Sequence, residues 1–199
     1  MSDNFVTVEQ CFLLLVIYSI IGWVYECIVE SIRQKRVVNR GFLYGPYCPI
    51  YGFGSMIDVI FLGWIDNPVL LFLTAGTVTC SFELLTSFVM EKAFHKRWWD
   101  YYDFKFNFDG RICLWGFLAF GALSLLLVNF IHPFMTNLVN TLSPSVFQAL
   151  TAGLFILIVI DICATVTNQL GIVERIKDPD SFNLRISESI RNAIKRISK

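Results

Sequence analysis

Five long apolar runs, separated by short polar links, dominate the pattern along the chain. They cover residues 10–32, 48–65, 68–90, 112–131 and 146–168. Each approaches the roughly 20 apolar residues that a helix needs to cross a hydrocarbon core about 30 Å thick. Pro68 begins the third run, and proline is favoured at the first position of a helix. The pattern predicts an all-α polytopic membrane bundle with five transmembrane helices.

Lysine and arginine occur in alternate links only. All 16 lie in the link after the first run, the link after the third run, or the segment after the fifth. Residues 1–9 and 132–145 contain none, and neither does the short link between the second and third runs. The positive-inside rule therefore predicts an outside N-terminus, a cytoplasmic C-terminus and a multi-pass protein of the cell (plasma) membrane.

Composition narrows the class of protein and its ligands. Apolar residues make up 55% of the chain and the mean hydropathy is +0.60, whereas charged residues make up only 16%, below the roughly 25% of soluble domains. A net charge of zero gives no reason to expect nucleic acid binding. The six cysteines form no CxxC pair, and the two histidines are far apart, so we expect neither a metal nor a cofactor.

The two ends of the chain differ in character. The first residues lack a basic region typical of a signal peptide, so the first apolar run is expected to remain as a span. Residues 1–170 are predicted to form a single transmembrane domain, and 171–199 a cytoplasmic tail. In the tail, Leu184, Ile186, Ile190, Ile194 and Ile197 recur at helical spacing among basic residues, which predicts an amphipathic helix. A simple solvated tail is the alternative.

The stretch "GFLYGPYCPIYGFGS" at 41–55 combines four glycines and two prolines with aromatic residues. Its apolar run continues to residue 65, so much of it should lie at membrane depth. Non-helical backbone is tolerated there only where it is buried in protein or lines a cavity. We therefore predict a broken or re-entrant segment before the second helix, with tyrosine hydroxyl groups directed toward buried acids.

Carboxylates inside the apolar runs are the main candidates for function. Glu26, Asp58, Glu83 and Asp161 lie on four different runs. A carboxylate near the bilayer centre costs about 2.5–3.5 kcal/mol, so such groups normally face the bundle interior or water. Their convergence predicts a polar cavity that opens to the cytoplasm, for a cation, a proton or a polar solute.

Helical spacing extends this cavity to further residues. Glu30 shares a face with Glu26, and Ser87 and Glu91 share a face with Glu83, while an arginine precedes each of two inbound helices as a counter-charge. The full predicted set is Glu26, Glu30, Arg40, Tyr44, Tyr47, Tyr51, Asp58, Glu83, Ser87, Glu91, Arg111 and Asp161. The alternative is that these carboxylates and arginines are structural ion pairs that fix the register of the helices.

The link after the third run, "HKRWWDYYDFKFNFDGR", is rich in aromatic residues. Tryptophan and tyrosine favour the headgroup region of a membrane, so Trp98, Trp99, Asp100 and Tyr101 are predicted to form an interfacial anchor. A docking surface for a partner, or a lid over the cavity, is the alternative.

The ends of the first and third runs resemble each other. "YECIVESIRQKR" at 25–36 and "FELLTSFVMEKAFHKR" at 82–97 each place acids before a basic link. Spans one and two could therefore form a parallel repeat with spans three and four, as in some transporters. Chance similarity between amphipathic helix ends is the alternative.

Several motifs together resemble a known family. "NRGFLYGPYCPIYGFG", "GWVYECIVES", "FELL", "KRWWDYYDF" and "FNFDGRICLWG" are similar to the bacterial ABC-transporter type IV, or CmpB-like, family of small multi-pass membrane proteins. The resemblance covers most of residues 10–125, and the last third matches more loosely. It implies functional roles for Glu26, Arg40, Gly41, Tyr44, Gly45, Pro46, Pro49, Tyr51, Gly52, Glu83, Trp98, Trp99, Asp100, Tyr101, Gly110 and Arg111.

The functional hypotheses follow from these observations. The first is a permease-like transport protein; because no GxxxxGK[ST] phosphate loop occurs, such a permease would need a separate ATPase subunit. Self-association into a homo-oligomer is also expected, because five spans form only a small pathway. The alternatives are an accessory or regulatory membrane protein, and a membrane-embedded enzyme for a lipid-linked substrate. No catalytic motif supports the enzyme.

Overall fold

The computed structural model describes residues 7–171, and the predicted tail lies outside them. The chain forms helices α1 (Val8–Gln34), α2 (Pro49–Ile57), α3 (Pro68–Phe94), α4 (Leu114–Leu126), α5 (His132–Asn140) and α6 (Pro144–Gln169). Single π-helical turns, Asp58–Leu62 and Leu127–Ile131, extend α2 and join α4 to α5. Strands β1 (Asn107–Phe108) and β2 (Ile112–Cys113) form an antiparallel hairpin.

Capping residues explain where the long helices begin and end. At the start of α1, the Thr7 hydroxyl accepts from the Gln10 backbone N–H and the Gln10 side chain accepts from the Thr7 N–H, which is a capping box. At the start of α3, the Asn67 side chain accepts two backbone N–H groups and Pro68 follows it. Helices α1 and α3 both end on a left-handed residue, Lys35 and His95.

Within residues 7–171, four helices are long and apolar enough to cross a membrane, as an all-α membrane bundle requires. They are α1, α3, the continuous Leu114–Asn140 and α6. Leu114–Asn140 extends nine residues beyond the predicted end of the fourth run at 131, through a π-helical turn that ends two residues before Pro133, where the helix lacks one backbone N–H. The second apolar run forms only the 14-residue helix Pro49–Leu62, about 21 Å long.

A hairpin in the second basic loop adds a small element that the pattern of apolar residues did not predict. Asp109 and Gly110 occupy its turn with φ of 49° and 63°, and the Arg111 N–H donates to the Phe108 carbonyl. Two positive φ angles define the turn type that favours Asp-Gly. The "DG" at 109–110 was therefore an available signal.

Helix α1 packs mainly against α2, and α3 packs mainly against α4. Glycines allow the first pair to approach closely: a Cβ on Gly22 would overlap the Tyr51 ring, and a Cβ on Gly52 would overlap Ser19 and the Leu15 carbonyl. This close approach fixes the position of Tyr51 against α1.

The non-helical segment 36–48 runs beside α1 before α2 begins. The Arg40 N–H contacts the Cys27 sulfur at 3.3 Å, and the Cys48 N–H donates to the Ser19 carbonyl at 2.9 Å. Ser19 lies 15 residues before the end of α1, which corresponds to about 22 Å along the helix. The predicted break before the second helix is therefore present, and it extends well into the bundle.

The connecting segments separate into two ends of the bundle. At one end, the Gln10 side chain donates to Asn140 at 3.0 Å. At the other end, Phe42 stacks against Trp98 and the Asn168 amide donates to the Tyr44 hydroxyl. Both basic loops and the end of α6 thus lie together, as the alternation of basic residues predicted.

The outward surface of the bundle is strongly apolar. Only 6% of the most apolar stretch of α6 is buried, compared with 33% for α1. Isolated soluble proteins rarely expose apolar area on this scale, whereas lipid or another subunit would cover it.

Candidate functional site

Glu26 lies at the junction of α1, the first basic loop and α2. Its carboxylate is 3.7 Å from the Arg40 Nε and accepts a 2.5 Å hydrogen bond from the Tyr51 hydroxyl. Gly22, one turn earlier on α1, leaves room for the Tyr51 ring. The Glu26 side chain is 28% exposed and the Arg40 side chain 33%, so this ion pair reaches the surface.

Glu83 lies on α3 and is only 5% exposed. The Tyr101 hydroxyl donates to its Oε1 at 3.0 Å, whereas its Oε2 has no hydrogen-bond partner among the described residues. Tyr101 is positioned by the hairpin, because its N–H donates to the Gly110 carbonyl. No ion pair of Glu83 with an arginine or a lysine occurs within residues 7–171.

The pKa of Tyr101 responds to both carboxylates. Burial, then the charge of Glu83 and its hydrogen bond, and then the charge of Glu26 raise the pKa of Tyr101. Tyr101 therefore stays a neutral phenol that can donate a hydrogen bond. We call Glu26, Tyr51, Glu83 and Tyr101 the acid–tyrosine centre.

Arg111 forms a second cluster farther along α3. Its guanidinium contacts the Glu91 carboxylate at 2.5 Å and the Asp109 carboxylate at 2.9 Å, and it donates to the Ser87 hydroxyl. It also stacks over Phe88, 3.9 Å from the ring centre. Arg111 was predicted as a counter-charge for this helix, and it pairs with Glu91 rather than with Glu83.

Asp161 on α6 holds the turn at residues 44–47. Its two oxygens accept from the Tyr44 and Gly45 N–H groups at 3.0 and 2.7 Å, and from the hydroxyl groups of Tyr47 and Thr165. All four donors are uncharged. Asp161 therefore supplies acceptors to backbone N–H groups that would have bonded to carbonyl groups if this segment were helical.

Asp58 joins three helices near the middle of the bundle. It is 3% exposed and accepts from Ser124 on α4 at 2.5 Å and from Thr79 on α3 at 3.4 Å. Glu30, in contrast, binds Arg33 and Gln34 on its own helix. The structure therefore distributes the predicted cavity residues over several clusters.

The aromatic loop residues have separate contacts. Trp98 packs between Phe42 and Phe94, and the Trp99 indole donates to the Arg111 carbonyl at 3.1 Å. Asp100 accepts from the Tyr102 N–H. Tyr101 alone of the four predicted loop residues bonds to a buried acid.

Sequence reasoning missed five hydrogen-bond or ion-pair partners of the predicted site residues: Thr79, Arg97, Asp109, Ser124 and Thr165. Two of them had a helical signal. Thr79 precedes Glu83 by four residues and continues the polar face of α3, while Thr165 follows Asp161 by four residues. Ser124 and Asp109 depend on packing between distant segments, which helical spacing does not show.

Two cavities lie away from the acid–tyrosine centre. One, of about 20 Å³, is lined by His132 and Asn140 at the opposite end of the bundle. A groove of about 410 Å³ lies between the hairpin and helices α3 and α4, lined by Phe106, Cys113 and Phe117 among others. The cavity that opens to the cytoplasm at the buried acids therefore stays a prediction. Within residues 7–171, no three metal-ligating side chains cluster.

These features define a multi-pass helical membrane protein with buried acids on its apolar helices. Residues 13–166 match the family described as "Putative ABC-transporter type IV" (ABC_trans_CmpB), so the chain belongs to this family, as its motifs indicated. The comparisons with curated proteins and with solved structures each gave no match.

Proposed function

We propose that this chain is a permease-like membrane transport protein whose binding centre is the acid–tyrosine centre. The observation that carries the proposal is Glu83, a carboxyl group buried in a membrane-length helix with only one hydroxyl donor. Ionisable groups at such positions are expensive and typically mark the pathway of an ion or solute. Membership of a transporter family supports the same function.

In the proposed topology, the chain crosses the membrane five times, with the N-terminus outside. The second crossing combines the non-helical segment 36–48 with the short helix Pro49–Leu62, and Asp161 satisfies the backbone of the Tyr44–Gly45 turn. Such a segment is compatible with membrane depth because its polar groups bond to protein. The two basic loops then face the cytoplasm of the cell, where the acid–tyrosine centre would open into a cavity.

The Arg111 cluster has a different role in this proposal. Its ion pairs hold the second basic loop against α3, and this loop positions Tyr101 against Glu83. The exposed aromatic residues of the second basic loop are the proposed contact with a separate ATPase subunit. The exposed face of α6 is the proposed contact with lipid or with another copy of the chain.

The arginine pairs also favour one second candidate, an accessory membrane protein in which buried charges serve folding only. Glu91, Asp109 and Arg111 fit this function, because each is paired within its own cluster. Glu83 does not fit it, because no base pairs with Glu83 in the part of the chain that the structure describes. Co-purification of the chain with an ATPase separates the candidates: the transport protein should bring ATP hydrolysis with it.

The proposed function is tested by flux into liposomes that contain the purified protein. Protons, sodium, potassium and a panel of amino acids serve as the solutes. We expect wild-type flux of at least one solute, and loss of this flux in Glu83→Gln and Glu26→Gln. Glu9→Gln makes the same change at an exposed position of α1 and should keep wild-type flux. Normal flux in both centre variants would refute the proposal.

A further inference from the structure

The Glu83 carboxyl group is under-bonded for a buried charge. It is 95% buried, and only one of its oxygens has a partner among the described residues, the Tyr101 hydroxyl. An isolated ionised carboxylate in such surroundings is so costly that the group normally takes up a proton or a cation instead. The question is therefore whether Glu83 binds a proton or a cation.

The groups around Glu83 are acidic or neutral. Cys80 lies one turn earlier on the same helix, the Tyr101 hydroxyl donates from the second basic loop, and the charge that acts on Glu83 is that of another acid, Glu26 on α1. The arginines of the two neighbouring clusters are engaged elsewhere: Arg40 pairs with Glu26, and Arg111 pairs with Glu91 and Asp109. Within residues 7–171, no base pairs with Glu83.

A proton suits this position better than a metal cation. A hard cation needs several oxygen ligands, whereas a proton needs one carboxyl oxygen. No cluster of three acidic, cysteine or histidine ligands occurs in residues 7–171. Neither of the two cavities described above is lined by Glu83.

We propose that Glu83 is a reversible proton-binding residue. When the proton leaves, the O–H bond of the Glu83 carboxylic acid breaks and an O–H bond forms on a water molecule that reaches the carboxyl group. The return step restores both groups. This inference rests on the proposed function, and it specifies that transport depends on a proton.

Infrared spectroscopy of the purified protein in lipid tests the inference directly. A protonated carboxylic acid has a C=O stretching band that a carboxylate lacks. We expect this band in the wild type at neutral pH, its loss in Glu83→Gln and its retention in Glu9→Gln. In Tyr101→Phe the band should shift, because the hydrogen bond to Oε1 is lost. This shift still identifies Glu83 if Glu83→Gln fails to fold.

The inference is overturned if the wild type and Glu83→Gln differ only in carboxylate bands at every pH at which both stay folded. It is also overturned if the acid band is identical in Tyr101→Phe. Flux measurements separate this failure from that of the proposed function. Flux that disappears in Glu83→Gln without an acid band contradicts the proton alone, whereas an acid band without flux of any solute contradicts transport alone.

Discussion

The helix pairs α1–α2 and α3–α4 share the same order of acidic and basic residues along the chain, but their arginines pair with different acids. In α1–α2 and in α3–α4, a long helix with acids near its end stops at a left-handed residue, and a basic loop leads to an arginine before the next helix. In the first pair, the arginine returns to the first acid, Glu26. In the second pair, Arg111 binds the later acid, Glu91.

The hairpin explains this difference. Its Asp-Gly turn places Asp109 beside Arg97 and Arg111, and together these residues form a network centred on Glu91. The same hairpin directs Tyr101 toward Glu83. The second basic loop therefore supplies a hydroxyl group to Glu83, the acid that corresponds to Glu26 of the first pair. Similar charge patterns can thus produce a surface ion pair in one half and an unpaired buried acid in the other.

The largest effect on stability is expected from Arg111→Gln. Arg111 is 5% exposed and bonds to Glu91, Asp109 and Ser87, so its removal breaks three contacts of the second basic loop at once. Thermal unfolding in lipid or detergent should show a clear fall in the melting temperature. Lys92→Gln, at an exposed position of α3, is the control. An unchanged melting temperature in Arg111→Gln would contradict the proposal that Arg111 stabilises the second basic loop more than Arg40 stabilises the first.

A smaller loss is expected from Ser124→Ala, which tests the contact between the two halves. Asp58 on α2 would lose its closer hydroxyl donor, and leaving a buried acceptor unsatisfied costs about 1–3 kcal/mol. Thermal unfolding should place this variant between wild type and Arg111→Gln. Ser81→Ala changes an exposed serine that bonds only within α3 and should behave as wild type. Equal stability of the two serine variants would contradict a bridging role for Asp58.

Arg40→Gln should cost less than about 1 kcal/mol, because its pair with Glu26 is partly exposed and 3.7 Å long. A double-mutant cycle with Glu26→Gln measures the coupling energy of this pair. We expect weak coupling, which weakens further as salt is added. Coupling as strong as that between Arg111 and Glu91 would show that the two arginines are equivalent.

The smallest effect is expected from Asp109→Asn, and it depends on pH. A hydrogen bond from Tyr102, then one from Arg111, lowers the pKa of the exposed Asp109 carboxyl group. A lowered folded-state pKa adds stability above the unfolded value of about 3.9, and this contribution disappears as the pH falls through the folded value. Wild-type stability should thus fall more steeply than that of Asp109→Asn below about pH 4. Parallel pH profiles would contradict this role.

Much of the helical architecture was predictable, because membrane spans need long apolar runs. The runs around α1, α3 and α6 predicted helices at the right places, and the capping residues Thr7 and Asn67 account for two of their starts. Hydropathy did not predict where two of the helices end, because local backbone chemistry decides the ends. The second run is helical over only 14 residues, and the fourth continues through a π-helical turn.

The contacts among the predicted site residues followed from the sequence only in part, and their role in a site stays a prediction. Helical spacing placed Ser87 on one face with Glu91, and both contact Arg111, as Arg40 contacts Glu26. The same reasoning placed Glu30 and Asp161 in one cavity, whereas Glu30 binds its own helix and Asp161 holds the turn at 44–47. Tyr101 was predicted as an interfacial residue, but its hydroxyl bonds to Glu83.

By itself, the sequence determined that this protein is a helical membrane protein of its family and which acids are confined to its apolar runs. These properties follow from composition and local spacing, since hydrocarbon excludes charge and unpaired backbone. Only the tertiary structure decided which acid receives an arginine and which receives a tyrosine. That choice depends on contacts between residues far apart in the chain, where one hairpin turn directs Arg111 to Glu91 and leaves Glu83 with Tyr101.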